Sequence, residues 1–398
     1  MKKQTGATLL IAGTCIGSGM IALPMVMAKL GLVPSIILIL ITWLVSYYTA
    51  LMSLELHLKA GKGLSIGELA GYFSEPKAEI LGVLCLKLLS YALLAVYIYG
   101  SASILQNLFK VEAHLSHIAT FCAIAFALIF LLPIKLIDGI NRISFIGFVI
   151  VFAILLTALA SMINLNNLPL FSENQSHITT WPFIIPFIFT SFGFQGSLHT
   201  ITNYCDADPT VLRKAVFWGT LIPAVVYIVW AVSTMSLIFD QDTAFYAKMM
   251  KGDMEVGELI KELTLLTKWG SIQLLVWWIS LLAIFTSVLG VGAGLSDSIK
   301  SMLPNKITLN WQRTAIAVIG TILPSYIISV LVPNAFVVIL GFAGMILAII
   351  AIGLPVYLLH KSKITKPHYD ELKRKRFIIL SGVTCAIIMV CEVVNIIK

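Results

Sequence analysis

Charge is scarce in this chain. Only 12% of its 398 residues are charged, about half the share found in soluble globular domains. Hydrophobic residues make up 59% and the mean hydropathy is +0.97. There is too little water-facing side chain to cover a soluble fold of this size, so a soluble domain is excluded. Cysteine is sparse as well. Cys15, Cys85, Cys122, Cys205, Cys385 and Cys391 lie mostly inside apolar runs without metal-ligand spacing, which excludes a disulfide framework and a zinc module. The chain has no GxxxxGK[ST], so ATP does not act on it directly through that loop. It also lacks HExxH and paired intramembrane aspartates. The expectation is therefore a protein that is not an enzyme and needs no cofactor or metal.

Apolar runs are what it has in plenty. A span needs about 20 apolar residues, and eleven stretches qualify: 5–29, 33–57, 78–108, 116–132, 142–163, 181–203, 212–239, 269–298, 311–331, 334–360 and 376–397. Met1-Lys2-Lys3 before the first run resembles a signal peptide, but the run is long and has no A-x-A site, so it reads as the first span. The segment 240–268 is rich in acidic residues and is expected to hold a short amphipathic helix. A net charge of +8 does not imply nucleic acid, because the basic residues sit at helix ends and in short loops. With the N-terminus cytoplasmic, nineteen Lys and Arg fall inside, among them the run Lys373-Arg374-Lys375-Arg376, and seven fall outside. The positive-inside rule then puts the C-terminus outside. Membrane lipid is the expected surrounding.

Glycine is concentrated where a helix should avoid it. "GTCIGSG" (13–19) brings Gly13, Gly17 and Gly19 to mid-depth of span one, and "SFGFQGS" (191–197) does the same in span six. Five spans separate the two, so they cross in opposite directions, the signature of an inverted repeat of spans one to five and six to ten. Unpaired backbone is tolerated at that depth only where it lines a cavity. Gly17, Ser18 and Gly19 would offer amides to a carboxylate, and Ser191 to Gln195 would face the rest of a ligand. Close helix packing is the plainer explanation for one such cluster, since Gly13 and Gly17 form GxxxG. Two clusters in corresponding spans favour a site.

Among the ionisable residues, Lys87 lies inside span three, four residues before Tyr91. Its ammonium could take the place of a sodium ion, carry a proton or snorkel to the interface. Tyr91 could bond a carboxylate or pack. Glu392 is expected near the outer interface, and Glu55 and His57 are expected to be wet at the inner end of span two. Asp297 reads as a solvated charge, with a cytoplasmic gate to Arg142 or Lys300 as the alternative.

"AGTCIGSGMIALP" (12–24), "FTSFGFQGS" (189–197), "DGINR" (138–142) and "TSVLGVGAGLSD" (286–297) together resemble the bacterial tyrosine and tryptophan permeases. These belong to the hydroxy/aromatic amino acid permease family of the amino acid-polyamine-organocation superfamily. The resemblance implies an all-α membrane protein of 11 helices with a leucine-transporter-like 5+5 inverted repeat. Its repeats would span 1–163 and 181–360, around an outer loop at 164–180. A basic cytoplasmic loop at 361–375 would lead to an extra helix at 376–398. It further implies import of an aromatic amino acid, tyrosine first, by proton symport across the bacterial inner membrane, by a chain functional as a monomer. Serine, threonine or other neutral amino acids, and sodium coupling, are the alternatives, and a passive channel ranks last. By the same resemblance, Thr14, Gly17, Ser18, Gly19, Phe192, Gly193, Phe194 and Gln195 would line the substrate site, to which the reading of span three adds Tyr91. Thr286 and Ser287 would serve the coupling ion by the resemblance, and Lys87 joins them from the reading of span three. Members of the family often carry histidine where Gln195 stands, and glutamine cannot relay a proton.

Overall fold

A computed structural model describes residues 3–164, 166–173, 180–252, 254–267, 270–304, 309–332, 335–362 and 367–397. Lys2, Lys268, Lys306, Lys363, Lys366 and Lys398, counted above for orientation, lie outside them. The described residues form helices and connections, with no strand among them. In chain order the helices are α1 (Lys3–Cys15), α2 (Ser18–Met27), α3 (Leu32–Ala60), α4 (Ile66–Phe73), α5 (Pro76–Phe109) and α6 (Leu115–Phe130). Then come α7 (Ile134–Ala160), α8 (Thr180–Ser191), α9 (Leu198–Tyr204), α10 (Pro209–Gln241), α11 (Thr243–Lys251) and α12 (Val256–Leu266). The last are α13 (Gly270–Met302), α14 (Asn310–Leu331), α15 (Ala335–Ala348), α16 (Leu354–Ser362) and α17 (Lys375–Ile397). A π-helical turn, Ile349–Gly353, joins α15 to α16.

Among the described residues, eight helices are long and apolar enough to cross a membrane, nine with the bent pair α1–α2 counted as one. The two other expected spans fall on α6, apolar but only 16 residues long, and on the interrupted pair α8 and α9. Many side chains pointing away from the bundle are large and apolar. Ile143, Ile146, Ile150 and Ile154 lie along one exposed face of α7, a surface unsuited to water and matched to lipid. Segment 240–268 differs from expectation in holding two helices, α11 and α12. Each begins at an acidic cap: Asp242 accepts the Phe245 N–H at 2.9 Å, and Glu255 and Glu258 form a capping box.

Local chemistry explains several boundaries. Asp208 caps α10 by accepting the N–H groups of Thr210 (2.8 Å) and Val211 (3.1 Å), ahead of Pro209 at the first helical position. Gly31, at φ 86°, turns the chain between α2 and α3. A Cβ there would stand 2.7 Å from Phe171 Cα, so only glycine lets 169–172 cross so close. That segment is fixed by Leu32 N–H to Pro169 O (2.9 Å) and Ser172 N–H to Leu30 O (3.1 Å).

Glu55 and His57 are not wet: they are 0% and 3% exposed. Glu55 accepts the His368 N–H at 2.9 Å and the Tyr369 N–H at 3.4 Å, and lies 3.0 Å from His368 Nδ1. The basic segment before α17 folds back onto α3, so water has no access to this carboxylate. Asp297 is exposed, and Lys300 donates instead to Thr314 at 2.8 Å, as the solvated reading requires.

Candidate functional site

Both glycine clusters interrupt a helix. α1 closes with the Ile16 N–H on Ala12 O at 2.8 Å, and the axis then bends by 54° into α2. Residues 16–17 are non-helical. The first amides of a helix have no intrahelical acceptor, and Met20 is the first in α2 to bond back, to Gly17 O at 3.1 Å. The amides of Gly17, Ser18 and Gly19 thus occupy the start of a half-helix. The Ser18 side chain lies outside those described. In the second break, the Phe192 N–H bonds Phe189 O at 3.1 Å and the Gly193 N–H bonds Thr190 O at 3.0 Å. The chain then runs non-helically to a 3-10 turn at Gln195–Ser197.

The two breaks meet. A Cβ on Gly19 would stand 3.3 Å from Ser191 Oγ, and one on Gly17 would stand 2.8 Å from Ser287 Oγ in α13. Glycine at these positions lets α2 lie directly against α8 and α13. The Thr286 hydroxyl donates to Leu282 O at 2.9 Å and that of Ser287 to Ala283 O at 2.8 Å. With their protons turned back along α13, both oxygens keep lone pairs for another partner.

Tyr227 of α10 ties the breaks together. Its hydroxyl lies 2.6 Å from Cys15 O and 2.6 Å from Ser191 O, the carbonyls that end α1 and α8. Its ring packs edge-to-face on Phe192 at 5.3 Å. Nothing in the apolar run around Tyr227 marks it out, and sequence reasoning missed it. Thr190 holds α8 to α15 by donating to Leu340 O as well as to its own Pro186 O, each at 2.8 Å.

Phe192 and Phe194 are 0% and 1% exposed, and Gln195 is 7% exposed. The Gln195 Oε1 accepts the Phe194 N–H at 3.0 Å. Its Nε2 is buried with no partner among the described residues, an amide donor whose desolvation is uncompensated. Gly193 is wedged between Thr190 and Leu347: a Cβ there would stand 3.0 Å from Thr190 O and 3.2 Å from Leu347 Cδ2.

Three expected members lie apart. Thr14 is exposed, its hydroxyl donated to Leu10 O at 2.7 Å. Tyr91 donates to Gly320 O in α14 at 2.9 Å. Lys87 donates to Met302 Sδ at the end of α13, roughly 20 Å along that helix from Thr286 and Ser287 at 1.5 Å per residue. Its contact accords with the snorkelling alternative and does not unite it with the hydroxyl pair.

The sequence profile of the tryptophan/tyrosine permease family matches residues 1–398. The chain belongs to that family. Among relatives of this permease, tyrosine-specific transport system 1 of Haemophilus influenzae is 30% identical over 363 residues, 91% of this chain and 89% of the relative. The tryptophan-specific transport protein of Pseudomonas aeruginosa is 27% identical over 365 residues, covering 90% and 86% of the two chains. Glutamine transporter 2 of Aliivibrio fischeri is 26% identical over 361 residues, covering 89% and 88%. This permease is a multi-pass membrane protein.

Proposed function

We propose that this permease is a secondary active transporter that imports an aromatic amino acid, tyrosine first, by alternating access with proton symport. It would work as a monomer of eleven spans, N-terminus cytoplasmic and C-terminus outside, in a bacterial inner membrane. Its two repeats, 1–163 and 181–360, would be related by an in-plane pseudo-two-fold. The observation that carries this reading is the meeting of two interrupted helices at Gly17–Gly19 and Ser191–Gln195. The half-helix amides at 17–19 suit a substrate carboxylate, and Phe192 and Phe194 beside the second break suit an aromatic ring. Tyrosine- and tryptophan-specific relatives support the substrate class. The glutamine-transporting relative keeps other neutral amino acids as the alternative.

Sodium coupling is the second reading, favoured by one observation. The Thr286 and Ser287 oxygens stand beside the first break with their protons committed elsewhere, and no ammonium from Lys87 joins them. A competition panel tests both substrate and ion: labelled tyrosine against tryptophan, phenylalanine, serine, leucine and glutamine, at two pH values, with and without sodium. Tyrosine and tryptophan competing best, with uptake following the pH gradient, is the expected result. Uptake that requires sodium and ignores pH overturns proton symport, and glutamine or serine competing best overturns the substrate.

A further inference from the structure

Among the described residues, the buried carboxylates and imidazoles are those of Glu55, His57 and Glu392. Glu55 has its oxygens occupied by His368 and Tyr369, and His57 accepts the Leu64 N–H at 3.3 Å. Both belong to the last turns of α3. Glu392 stands at the other side of the protein, in the last turns of α17, and its bonding capacity is half unused. Asn395 donates to its Oε2 at 3.1 Å. Among the described residues Oε1 accepts no hydrogen bond, and Glu392 makes no ion pair.

Glu392 is 3% exposed, yet water can reach it. It lines a cavity of about 380 Å³ among the ends of α2, α8, α15 and α17, with room for several water molecules. Gly341 of α15 admits the carboxylate: a Cβ there would stand 2.9 Å from Glu392 Oε2. Two titratable groups are its neighbours. Lys29, just past α2, lines the same cavity with its Nζ 4.1 Å from the centre of the Phe183 ring, and the Cys391 thiol is buried beside Glu392 on α17. The described residues of α8, α11 and α15 that line the cavity are uncharged. An ionised carboxylate with one donor is costly in such a setting unless water enters, whereas the neutral acid can be buried dry at far less cost.

This junction is tied to the second break. Asn395 also donates to Pro182 O in the first turn of α8 at 2.9 Å, and α8 ends at Ser191, where that break begins. Thr190 donates to Leu340 O, the residue before Gly341. We propose that Glu392 is a proton-binding site for the solution at this end of the helices, and that its protonation permits α8 and α15 to close over the substrate. Ionised, Glu392 keeps water in the cavity and α8, α15 and α17 apart; neutral, it lets them pack dry. One proton passes from cavity water to the carboxylate and returns to that water on reopening, so Glu392 paces the cycle from one side and does not carry the driving ion. The proposal rests on the alternating-access reading above, whose topology puts this end outside.

The test is exchange of labelled amino acid in proteoliposomes of uniform orientation, with equal substrate on both sides, the potential clamped at zero, inner pH fixed and outer pH varied. The label is whichever amino acid the competition panel selects. Wild-type exchange should quicken as outer pH falls. Glu392→Gln, which keeps the shape and the Asn395 contact, should exchange at the fast rate at every outer pH, and Glu392→Asp should keep the response. Accumulation driven by a pH gradient should survive in Glu392→Gln. The proposal is overturned by a wild type indifferent to outer pH, by Glu392→Gln with the wild-type response, or by Glu392→Asp as flat as Glu392→Gln. Monodisperse Glu392→Gln that cannot exchange assigns a structural role, and exchange kept with accumulation lost makes Glu392 the carrier; each overturns it too. A wild type that does not exchange at all overturns the transporter reading and this inference with it. Failure of proton symport alone shows differently, as accumulation that ignores the pH gradient while the exchange response at Glu392 remains.

Discussion

The backbone carbonyls of Cys15 and Ser191, last residues of the two interrupted half-helices, converge on one hydroxyl, that of Tyr227, at 2.6 Å each. A phenol has one proton for two acceptors, so neither carbonyl is held independently of the other. A shift of α1 relative to α8 must redistribute that proton. Tyr227→Phe keeps the ring on Phe192 and removes the bond. Leaving a buried carbonyl without a donor costs about 1–3 kcal/mol, so thermal unfolding should shift down while the variant still inserts. Uptake should fall more than stability accounts for. Unchanged uptake would mean that the two helix ends are not coupled through Tyr227.

Gly17 is a matter of space. Its absent Cβ would stand 2.8 Å from Ser287 Oγ, closer than real Cβ contacts allow. Gly17→Ala should therefore reduce substrate binding at least tenfold, about 1.4 kcal/mol. Adding Ser287→Gly should restore the packing but not ion-coupled uptake, since the hydroxyl is gone. The double-mutant cycle checks this. Additive effects on stability contradict the close approach.

The orphan Gln195 Nε2 is costly in the folded protein unless a ligand uses it. Gln195→Leu removes the orphan donor together with the acceptor of the Phe194 N–H, so stability should change little while the KM rises about tenfold, and Gln195→His, which retains a donor, recovers part of the affinity. A loss of stability with the KM unchanged assigns the amide a purely structural role.

Glu255 and Glu262, in the segment between α11 and the end of α12, titrate above the ordinary carboxylate range, burial being the main cause in each. The hydrogen bond from Tyr99 partly offsets the rise at Glu255, while Asp242 adds to it at Glu262. A raised folded-state pKa gives stability that is complete below the unfolded value and lost as pH rises through the folded one. Hydrogen exchange across 243–266 should therefore quicken, beyond its intrinsic pH dependence, as pH rises above the ordinary carboxylate range. Glu255→Gln should flatten that excess. An excess that is absent, or that grows as pH falls, contradicts the sign.

How much was legible depended on whether the signal was local. Glycines beside polar residues inside an apolar run mark a break wherever the chain packs, so Gly17 and Gly193 could be read directly. Nine of the expected spans followed from length and hydropathy, the bent pair α1–α2 counted as one. Tyr227 could not be found that way, because its role depends on carbonyls freed in two other helices. Glu55 misled for a related reason. A carboxylate near a helix end reads as wet until a distant segment covers it, here His368 and Tyr369. Lys87 stood out because charge is rare there, yet its long stem reaches Met302 and leaves the hydroxyl pair alone.

The central claim is that the two breaks form one amino-acid site in an ion-driven transporter. Uptake of labelled tyrosine into proteoliposomes under an inward pH gradient, wild type beside Gly17→Leu, tests it most directly. Accumulation above the external concentration by the wild type, collapsed by a protonophore and absent in a folded Gly17→Leu, is the predicted result. Uptake that stops at equilibrium, or that persists unchanged in Gly17→Leu, would contradict it.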